Sequence, residues 1–128
     1  MRLLKGSERV TITSKAPGKL FIAGEYAVVE PGHGAIVAAV SRYLTVTIDE
    51  ATSVGTLTST QNPDVVVEWT RKGELFCAKG EHPYRLVEEA ILVAEQYVRE
   101  CGTPTNELYS LSITSELDDA KRGIKYGL

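Results

Sequence analysis

Apolar and polar residues alternate along much of the first half of the chain, which predicts a β-rich fold. Arg9–Lys15 alternates with a period of two, as a half-buried strand does. A turn at Pro17–Gly18 is expected to separate it from a second strand, Lys19–Ala23, which is apolar enough to be covered on both faces. Ala35–Val40 fits either a buried strand or a short helical segment, because its periodicity does not separate the two, and Tyr43–Asp49 alternates again as a strand.

The middle of the chain predicts a β-hairpin and two further strands. Thr56–Thr60 and Val65–Thr70 flank a polar, proline-containing turn, and Trp69 in this hairpin is expected to serve in packing. Leu75–Ala78 is expected to pair with the hairpin, and Leu108–Ile113 predicts a later strand.

The strongest helical pattern runs from Pro83 to about Cys101. Proline suits the first helical position, and Gly102 suits the C-terminal stop. Glu95 and Arg99 are four residues apart and are expected to pair on the exposed side of this helix. The apolar positions that recur at a helical period, and that are expected to form one stripe, are Leu86, Val87, Ala90, Ile91, Ala94, Tyr97, Val98 and Cys101.

Runs of strands combined with one long helix predict an α+β domain, in which the helix covers one face of a mostly antiparallel sheet. The length of 128 residues corresponds to a single domain, and a hydrophobic content of 43% is sufficient for a core. Residues 26–29 are expected to form a short extended piece before a turn at residues 30–34, and residues 118–123 a polar loop.

Charge and composition narrow the class of partner. A net charge of −3 argues against a broad electrostatic grip on nucleic acid or on an anionic membrane, but it leaves room for a pocket that binds a small anion. Cys77 and Cys101 lack the spacing of metal ligands and are expected to be reduced thiols, and Asp118–Asp119 is expected to be a solvated patch or a cap, so no metal site is predicted. With no signal peptide and no apolar run of membrane-spanning length, the expected compartment is the cytoplasm.

Lys19 and Glu25 stand at the two ends of the apolar segment 20–23, and each follows a glycine. Glycine lets a backbone approach a ligand closely, and a lysine at such a place can direct its ammonium at a phosphate. The carboxylate can accept a hydrogen bond from a hydroxyl group or hold the lysine in place. Physical chemistry alone leaves a second interpretation open, in which both side chains are solvated surface residues.

The order of residues 16–32, APGKLFIAGEYAVVEPG, resembles the first motif of the GHMP kinases, a superfamily of small-molecule kinases. Within that superfamily, the motif with Tyr26 is most similar to the phosphomevalonate kinases, whereas mevalonate kinases usually have histidine at this place. The end of the chain, KYGL at residues 125–128, is similar to the approach to the family's glycine- and serine-rich phosphate loop. The resemblance implies the fold of the GHMP kinase N-terminal domain, which is like that of ribosomal protein S5 domain 2.

The resemblance also implies a reaction. Phosphomevalonate kinases transfer the γ-phosphoryl group of ATP, with Mg²⁺, to 5-phosphomevalonate and form 5-diphosphomevalonate, an isoprenoid precursor. By the same resemblance, Lys19 lies at the acceptor phosphate, and Lys125 neutralises charge on the ATP phosphates in the transition state.

Further residues receive roles from the same comparison of motifs. Glu25 and Tyr26 line the acceptor side of the site, and His33 is either a substrate contact or a solvated turn residue. Gly127 and Leu128 open the phosphate loop, whose amides bind the ATP phosphates.

The resemblance implies that residues 1–128 are the N-terminal part of a kinase domain, ending at the start of the phosphate loop. The chain alone is then expected to be inactive, to leave Leu111, Ile113 and part of Val37–Val40 uncovered, and to self-associate or be only marginally stable. Two alternatives stay open at this point: a mevalonate kinase or another GHMP kinase, and a short non-catalytic module that binds a partner protein.

Overall fold

The computed structural model describes residues 9–125, which form a six-stranded mixed sheet, a two-stranded hairpin and an α-helix. The sheet has the strand order β1-β2-β6-β3-β4-β5; β3 is parallel to β6 and antiparallel to β4, and β5 is antiparallel to β4. The predicted α+β class is therefore confirmed. The elements are β1 (Thr11–Ala23), a 3-10 helical turn (Ala27–Val29), β2 (Ile36–Ala51), β3 (Gly55–Ser59), β4 (Val67–Lys72), β5 (Leu75–Ala78), α1 (Arg85–Glu100), β6 (Leu108–Ser115), β7 (Asp118–Asp119) and β8 (Ile124–Lys125).

The described chain divides into two compact units. The first, which we call the helix unit, comprises residues 9–13 and 47–113 and contains α1. The second, which we call the motif unit, comprises residues 14–46 and 114–125. The α-helix found in residues 9–125 does not have the length and apolar character that a membrane crossing requires.

The core of the helix unit is built around Trp69, whose side chain is fully buried. Its ring centroid lies 4.4 Å from that of Phe76 and 4.7 Å from that of Tyr109. Its indole N–H donates a hydrogen bond of 3.0 Å to the carbonyl oxygen of Tyr109, so the polar atom of this large side chain is satisfied inside the core. The predicted packing role of Trp69 is confirmed.

A charged side chain, Arg71, lies beside this aromatic cluster. Its two terminal nitrogens donate to the two carboxylate oxygens of Glu95 at 2.6 and 2.8 Å, and both side chains are only 10% exposed. The same guanidinium donates to the carbonyl oxygens of Glu74 and Glu107 and lies 4.8 Å from the centroid of the Trp69 ring. Arg71, on β4, thus connects this strand to α1 through Glu95. It also connects β4 to the segment before β6 through the Glu107 carbonyl oxygen.

The place of Glu95 corrects a prediction. The sequence predicts it on the exposed side of the helix, but it is only 8% exposed. Its ion pair with Arg99, at 3.8 Å, is longer than its ion pair with Arg71, at 2.6 Å. The carboxylate is tolerated inside because it also accepts a 2.9 Å hydrogen bond from the Tyr109 hydroxyl. Burial, and then the nearby Glu95 charge, raise the pKa of Tyr109, so this hydroxyl remains a proton donor.

The predicted helix and its C-terminal end are confirmed, but it begins at Arg85, so Pro83 is not its first residue, and its buried line is not the predicted stripe. Ile91 and Glu95 are the buried residues of α1. Leu86, at 86% exposure, and Tyr97 lie open to solvent although both belong to the apolar stripe. The helix is oriented by the ion pair of Glu95 as well as by apolar burial, and a hydrophobic pattern contains no information about such a pair.

The first strand also differs from the prediction. Pro17–Gly18 makes no turn, and β1 continues through it as one strand. Proline has no N–H to donate to a ladder and is tolerated on an edge strand, which is the place of β1 in the sheet. The apolar residues after it are not covered on both faces: Ile22 is 65% exposed. Ala35–Val40 resolves as strand, because β2 begins at Ile36 and includes the predicted Tyr43–Asp49 strand.

Four smaller expectations are also settled. Leu111 and Ile113 are buried, so self-association through them loses its basis, whereas Val37 is exposed as expected. The predicted extended piece at residues 26–29 is instead a 3-10 helical turn. The predicted loop at residues 118–123 contains β7 and the turn of the β7–β8 hairpin. The hairpin β3–β4 and its partner β5 form as predicted.

Removal of the buried carboxylate should destabilise the fold strongly. In Glu95→Ala, Arg71 would keep its buried charge without its anionic partner, so the free energy of unfolding should fall by about 3 kcal/mol. Urea unfolding of the 128-residue chain measures this loss. Glu89→Ala, an exposed position on the same helix, is the matched control and should change stability by less than about 0.5 kcal/mol. Equal effects of the two variants would contradict the role given to the Arg71–Glu95 pair.

A methyl group at Gly55 should be excluded by the aromatic core. A Cβ there would lie 2.1 Å from ring atoms of Trp69 and 2.6 Å from the Tyr109 carbonyl oxygen. Gly55→Ala should therefore lower the free energy of unfolding by about 3 kcal/mol, the upper end for an overpacked core. Gly34→Ala, where a Cβ meets nothing within 4 Å, provides the comparison in the same urea experiment. A stable Gly55→Ala protein would mean that the Trp69 ring is not packed as described.

Candidate functional site

The described residues to which the resemblance gave roles all lie in the motif unit. Lys19 is on β1, Glu25 and Tyr26 follow the end of that strand, and His33 precedes β2. Lys125 is on β8. Gly127 and Leu128 lie outside the described residues.

Lys19 is an exposed cation on the edge strand, directly after the buried Gly18. Its ammonium nitrogen lies 4.9 Å from the centroid of the Phe21 ring, two residues further along β1. Within residues 9–125, the ammonium makes no ion pair with any carboxylate. The charge of Lys19 is therefore available to an anion from outside.

Gly24 closes the turn that follows β1. Its φ of +82° belongs to the left-handed region that glycine adopts without strain. A Cβ at this place would lie 2.5 Å from the carbonyl oxygen of Gly34 and 3.0 Å from Cα of Ala35. Its carbonyl oxygen accepts a hydrogen bond of 3.0 Å from the Val28 amide, which fixes the start of the 3-10 helical turn. The glycine before Glu25 is thus required by the close approach of residues 34 and 35.

Glu25 and Tyr26 are held by this turn and point into open space. Tyr26 is 85% exposed, and it is the residue that precedes the 3-10 helical turn. Glu25 is exposed and makes no ion pair with Lys19 in the part of the chain that the structure describes. Of the two roles considered for its carboxylate, holding Lys19 in place is therefore wrong, and accepting a hydrogen bond from a bound hydroxyl group stays a prediction.

His33 lies in the turn that leads into β2. Its Nε2 is 3.8 Å from Oε2 of Glu30, and its backbone N–H donates to the Glu30 carbonyl oxygen at 3.3 Å. The side chains of both residues are more than half exposed. These contacts account for His33 as a turn residue, and the alternative of a substrate contact stays a prediction.

Lys125 borders a cleft that the sequence did not reveal. In the antiparallel β7–β8 hairpin, the backbones of Asp118 and Lys125 lie opposite each other. This hairpin lines a cavity of about 280 Å³. Asp119 accepts a hydrogen bond of 3.2 Å from the Arg122 backbone N–H and so caps the turn of this hairpin. A two-residue strand on each side gives too little alternation for a sequence pattern, so only the charges of this segment were visible beforehand.

The two lysines to which the resemblance gave roles are each exposed, and no cavity lining includes both of them among the described residues. Lys19 and Lys125 are exposed cations of one unit, and neither makes an ion pair with a carboxylate in residues 9–125. The residue that sequence reasoning missed is Phe21, whose ring lies under the Lys19 ammonium. The signal was present as a lysine and an aromatic residue two apart on a strand, which places them on the same face.

Known proteins share part of this chain's sequence or fold. The chain is 61% identical over 41 residues to a phosphomevalonate kinase from Streptomyces sp. (strain CL190), which covers 32% of this chain and 11% of that protein. It matches the crystal structure of the Lin0012 protein from Listeria innocua with a TM-score of 0.73 and 38% identity, over 93% of this chain and 32% of that one. No protein-family model matches it.

Two structures of Streptococcus pneumoniae phosphomevalonate kinase share the fold. One matches with a TM-score of 0.59 and 27% identity over 84% of this chain and 27% of that chain. The other was solved in complex with phosphomevalonate and AMPPNP and matches with a TM-score of 0.64 and 24% identity, over 85% of this chain and 30% of that one. At 24% identity, the match to the complex with phosphomevalonate and AMPPNP shows a shared fold and no more.

The close approach at Gly24 should make that position intolerant of any side chain. Gly24→Ala would combine left-handed backbone strain with a clash against Gly34, so the free energy of unfolding should fall by about 2–4 kcal/mol. Gly32→Ala is the control, because φ there is also positive, +90°, but a Cβ meets nothing within 4 Å. It should cost about 1–2 kcal/mol in urea unfolding. Gly24→Ala costing no more than Gly32→Ala would show that the turn is not closed at residue 34.

The chain spans about 11% of the curated relative in the matched segment and 27–32% of the solved structures. These matches agree with the motif at residues 16–32 and with the observed mixed sheet and single long helix. The resemblance read from that motif is therefore confirmed: the chain is similar in sequence and in fold to part of the phosphomevalonate kinases, which are GHMP kinases.

Proposed function

We propose that the polypeptide containing this chain is an ATP-dependent kinase that converts 5-phosphomevalonate to 5-diphosphomevalonate. The observation that carries the proposal is the Lys19 ammonium, which is exposed on an edge strand beside an aromatic ring and without a carboxylate partner in residues 9–125. The choice of acceptor is supported by the segment that is 61% identical to a phosphomevalonate kinase. A structural neighbour that binds phosphomevalonate and AMPPNP agrees with it.

The proposed reaction requires positive charge more than it requires a base. The nucleophile is a phosphate oxygen of 5-phosphomevalonate, which is already anionic at neutral pH and has no proton that must be removed first. Its attack forms a new P–O bond to the γ-phosphorus of ATP, while the bond from that phosphorus to the bridging oxygen of ADP breaks. Bringing two polyanions together is opposed by their mutual repulsion, and lysine ammonium groups reduce that repulsion.

In the proposal, Lys19 and Lys125 reduce the repulsion at different substrates. Lys19 binds the acceptor phosphate, and Lys125 binds the phosphates of ATP, which the phosphate loop expected at Gly127 and Leu128 would also contact. Glu25 and Tyr26, held by the Gly24 turn, line the acceptor side of the site, where the Glu25 carboxylate would accept a hydrogen bond from a hydroxyl group. His33 pairs with Glu30 through Nε2 in the turn, and a contact with the acceptor stays an alternative role for it.

The donor and its metal are also part of the proposal. We assign the anionic donor to the exposed ammonium of Lys125 and not to the β7–β8 cleft beside it, because Asp118 and Asp119 also line that cleft and would repel ATP. Mg²⁺ would offset charge on the donor phosphates when it is bound. No group of three metal-ligating side chains occurs among residues 9–125, so we assign none of them to the metal.

Removal of the Lys19 charge should abolish most of the activity. In the complete gene product that contains this chain, Lys19→Met should lower kcat/KM for 5-phosphomevalonate by about 10²- to 10³-fold, the usual effect of losing one group that stabilises transition-state charge. ADP release coupled to an optical signal measures this loss. Lys15→Met is the matched control, because Lys15 is also exposed on β1, and it should retain activity within about 2-fold.

Two outcomes would contradict the proposal. If the unaltered gene product releases no ADP with 5-phosphomevalonate but does so with mevalonate, the acceptor is wrong and the mevalonate kinase alternative is correct. If Lys19→Met and Lys15→Met are equally active, Lys19 does not stabilise the transferring phosphoryl group.

A further inference from the structure

The partner of the Lys19 ammonium is unusual for an exposed lysine. Such side chains are mostly solvated or lie near a carboxylate, whereas this ammonium lies 4.9 Å from the centroid of the Phe21 ring. The distance is within the range of a cation–π interaction, in which the negative face of the ring attracts the cation. Phe21 itself is partly exposed on the edge strand, so its ring is available on the side that Lys19 occupies.

The contact follows from the local geometry of β1. Side chains two residues apart on a strand point to the same face, about 6.5–7 Å apart along the backbone. The long stem of Lys19 can therefore lie along the strand and bring its ammonium over the ring of Phe21. The neighbouring apolar residues, Leu20 and Ile22, point to the opposite face and cannot make this contact.

A ring and a carboxylate have different consequences for an anion site. A carboxylate would cancel the charge of Lys19 and would have to be displaced, or tolerated as a repelling neighbour, when a phosphate binds. An aromatic ring restrains the flexible stem but leaves the full positive charge and the N–H donors for the ligand. Less side-chain freedom is then lost when the phosphate binds, which is the benefit of preorganisation.

We propose that Phe21 is a positioning residue, which holds the Lys19 ammonium in place for the acceptor phosphate through the face of its ring. The proposal rests on the proposed function for the identity of the acceptor, but the contact itself does not. It differs from simple packing, because a residue that only filled space would be replaceable by any apolar side chain of similar size.

The test uses variants that separate ring chemistry from volume. In the complete gene product, Phe21→Leu keeps an apolar side chain but has no ring, and Phe21→Tyr keeps the ring. Phe21→Leu should raise KM for 5-phosphomevalonate by about 2- to 5-fold, the size of an exposed cation–π interaction, with kcat changed less. Phe21→Tyr should restore the original KM, and Ile22→Val, on the opposite face of β1, should leave it unchanged.

A double-variant cycle shows whether the effect passes through Lys19. In the Lys19→Met background, Phe21→Leu should have no further effect on KM, because there is no ammonium left to position. The same loss in both backgrounds, or no recovery in Phe21→Tyr, would overturn the proposal.

A measurement without turnover separates this proposal from the proposed function. In protein labelled with ¹³C-lysine, the ε-methylene signal of Lys19, assigned by its loss in Lys19→Met, should be shifted upfield by the ring and return to the ordinary position in Phe21→Leu. Titration with inorganic phosphate should then move this signal with an affinity about 2- to 5-fold weaker in Phe21→Leu. An ordinary lysine shift in the unaltered protein, or equal phosphate affinities, would overturn the positioning role. If the ring shift and the difference in phosphate affinity are found but the gene product does not turn over 5-phosphomevalonate, only the proposed acceptor is overturned.

Discussion

The pair formed by Arg71 and Glu95 is the interaction on which the helix unit depends. One guanidinium joins the helix, strand β4 and the segment before β6 through five hydrogen bonds, while it lies against the Trp69 ring. Two buried charges are tolerated only when each has a partner of opposite charge and its hydrogen bonds are made. Here the Tyr109 hydroxyl donates a further hydrogen bond to the Glu95 carboxylate. Ile91 and Glu95, four residues apart, are the buried residues of α1, so the ion pair and apolar burial act on the same face of the helix.

The motif unit follows the opposite principle. Its candidate site residues follow a turn fixed by backbone geometry and are exposed, as the closed turn at Gly24 and the exposed Glu25 and Tyr26 beyond it show. The exposed charges of Lys19 and Lys125, which have no carboxylate partner among residues 9–125, contribute little to stability. They are suited to a ligand that carries several negative charges, and this is the physical basis on which a phosphoryl acceptor and donor are proposed.

The sequence predicted what depends on local patterns and missed what depends on distant partners. The helix, the β3–β4 hairpin and β5 were found because each has its own periodicity and turn residues. Pro17 was misread as part of a turn, because the edge position of β1 is a property of the whole sheet. Glu95 was misplaced because Arg71, its partner, is 24 residues away and no helical pattern refers to it.

The candidate site divides in the same way. The motif at residues 16–32 identified Lys19, Glu25 and Tyr26 as a group, and the structure places them in one unit. It gave no sign that Gly24 is required by contact with residues 34 and 35, nor that the β7–β8 hairpin forms a cleft beside Lys125. Both depend on segments that meet only after folding.

Phosphorus NMR of the complete gene product with ATP, Mg²⁺ and 5-phosphomevalonate tests the central claim most directly, because it identifies the product as well as the turnover. The account predicts that the signal of the phosphate monoester decreases while two coupled signals of a new diphosphate ester and those of ADP appear together. Formation of ADP with inorganic phosphate alone, or no change in the acceptor signal, would contradict the claim that this chain contributes to transfer onto a phosphate.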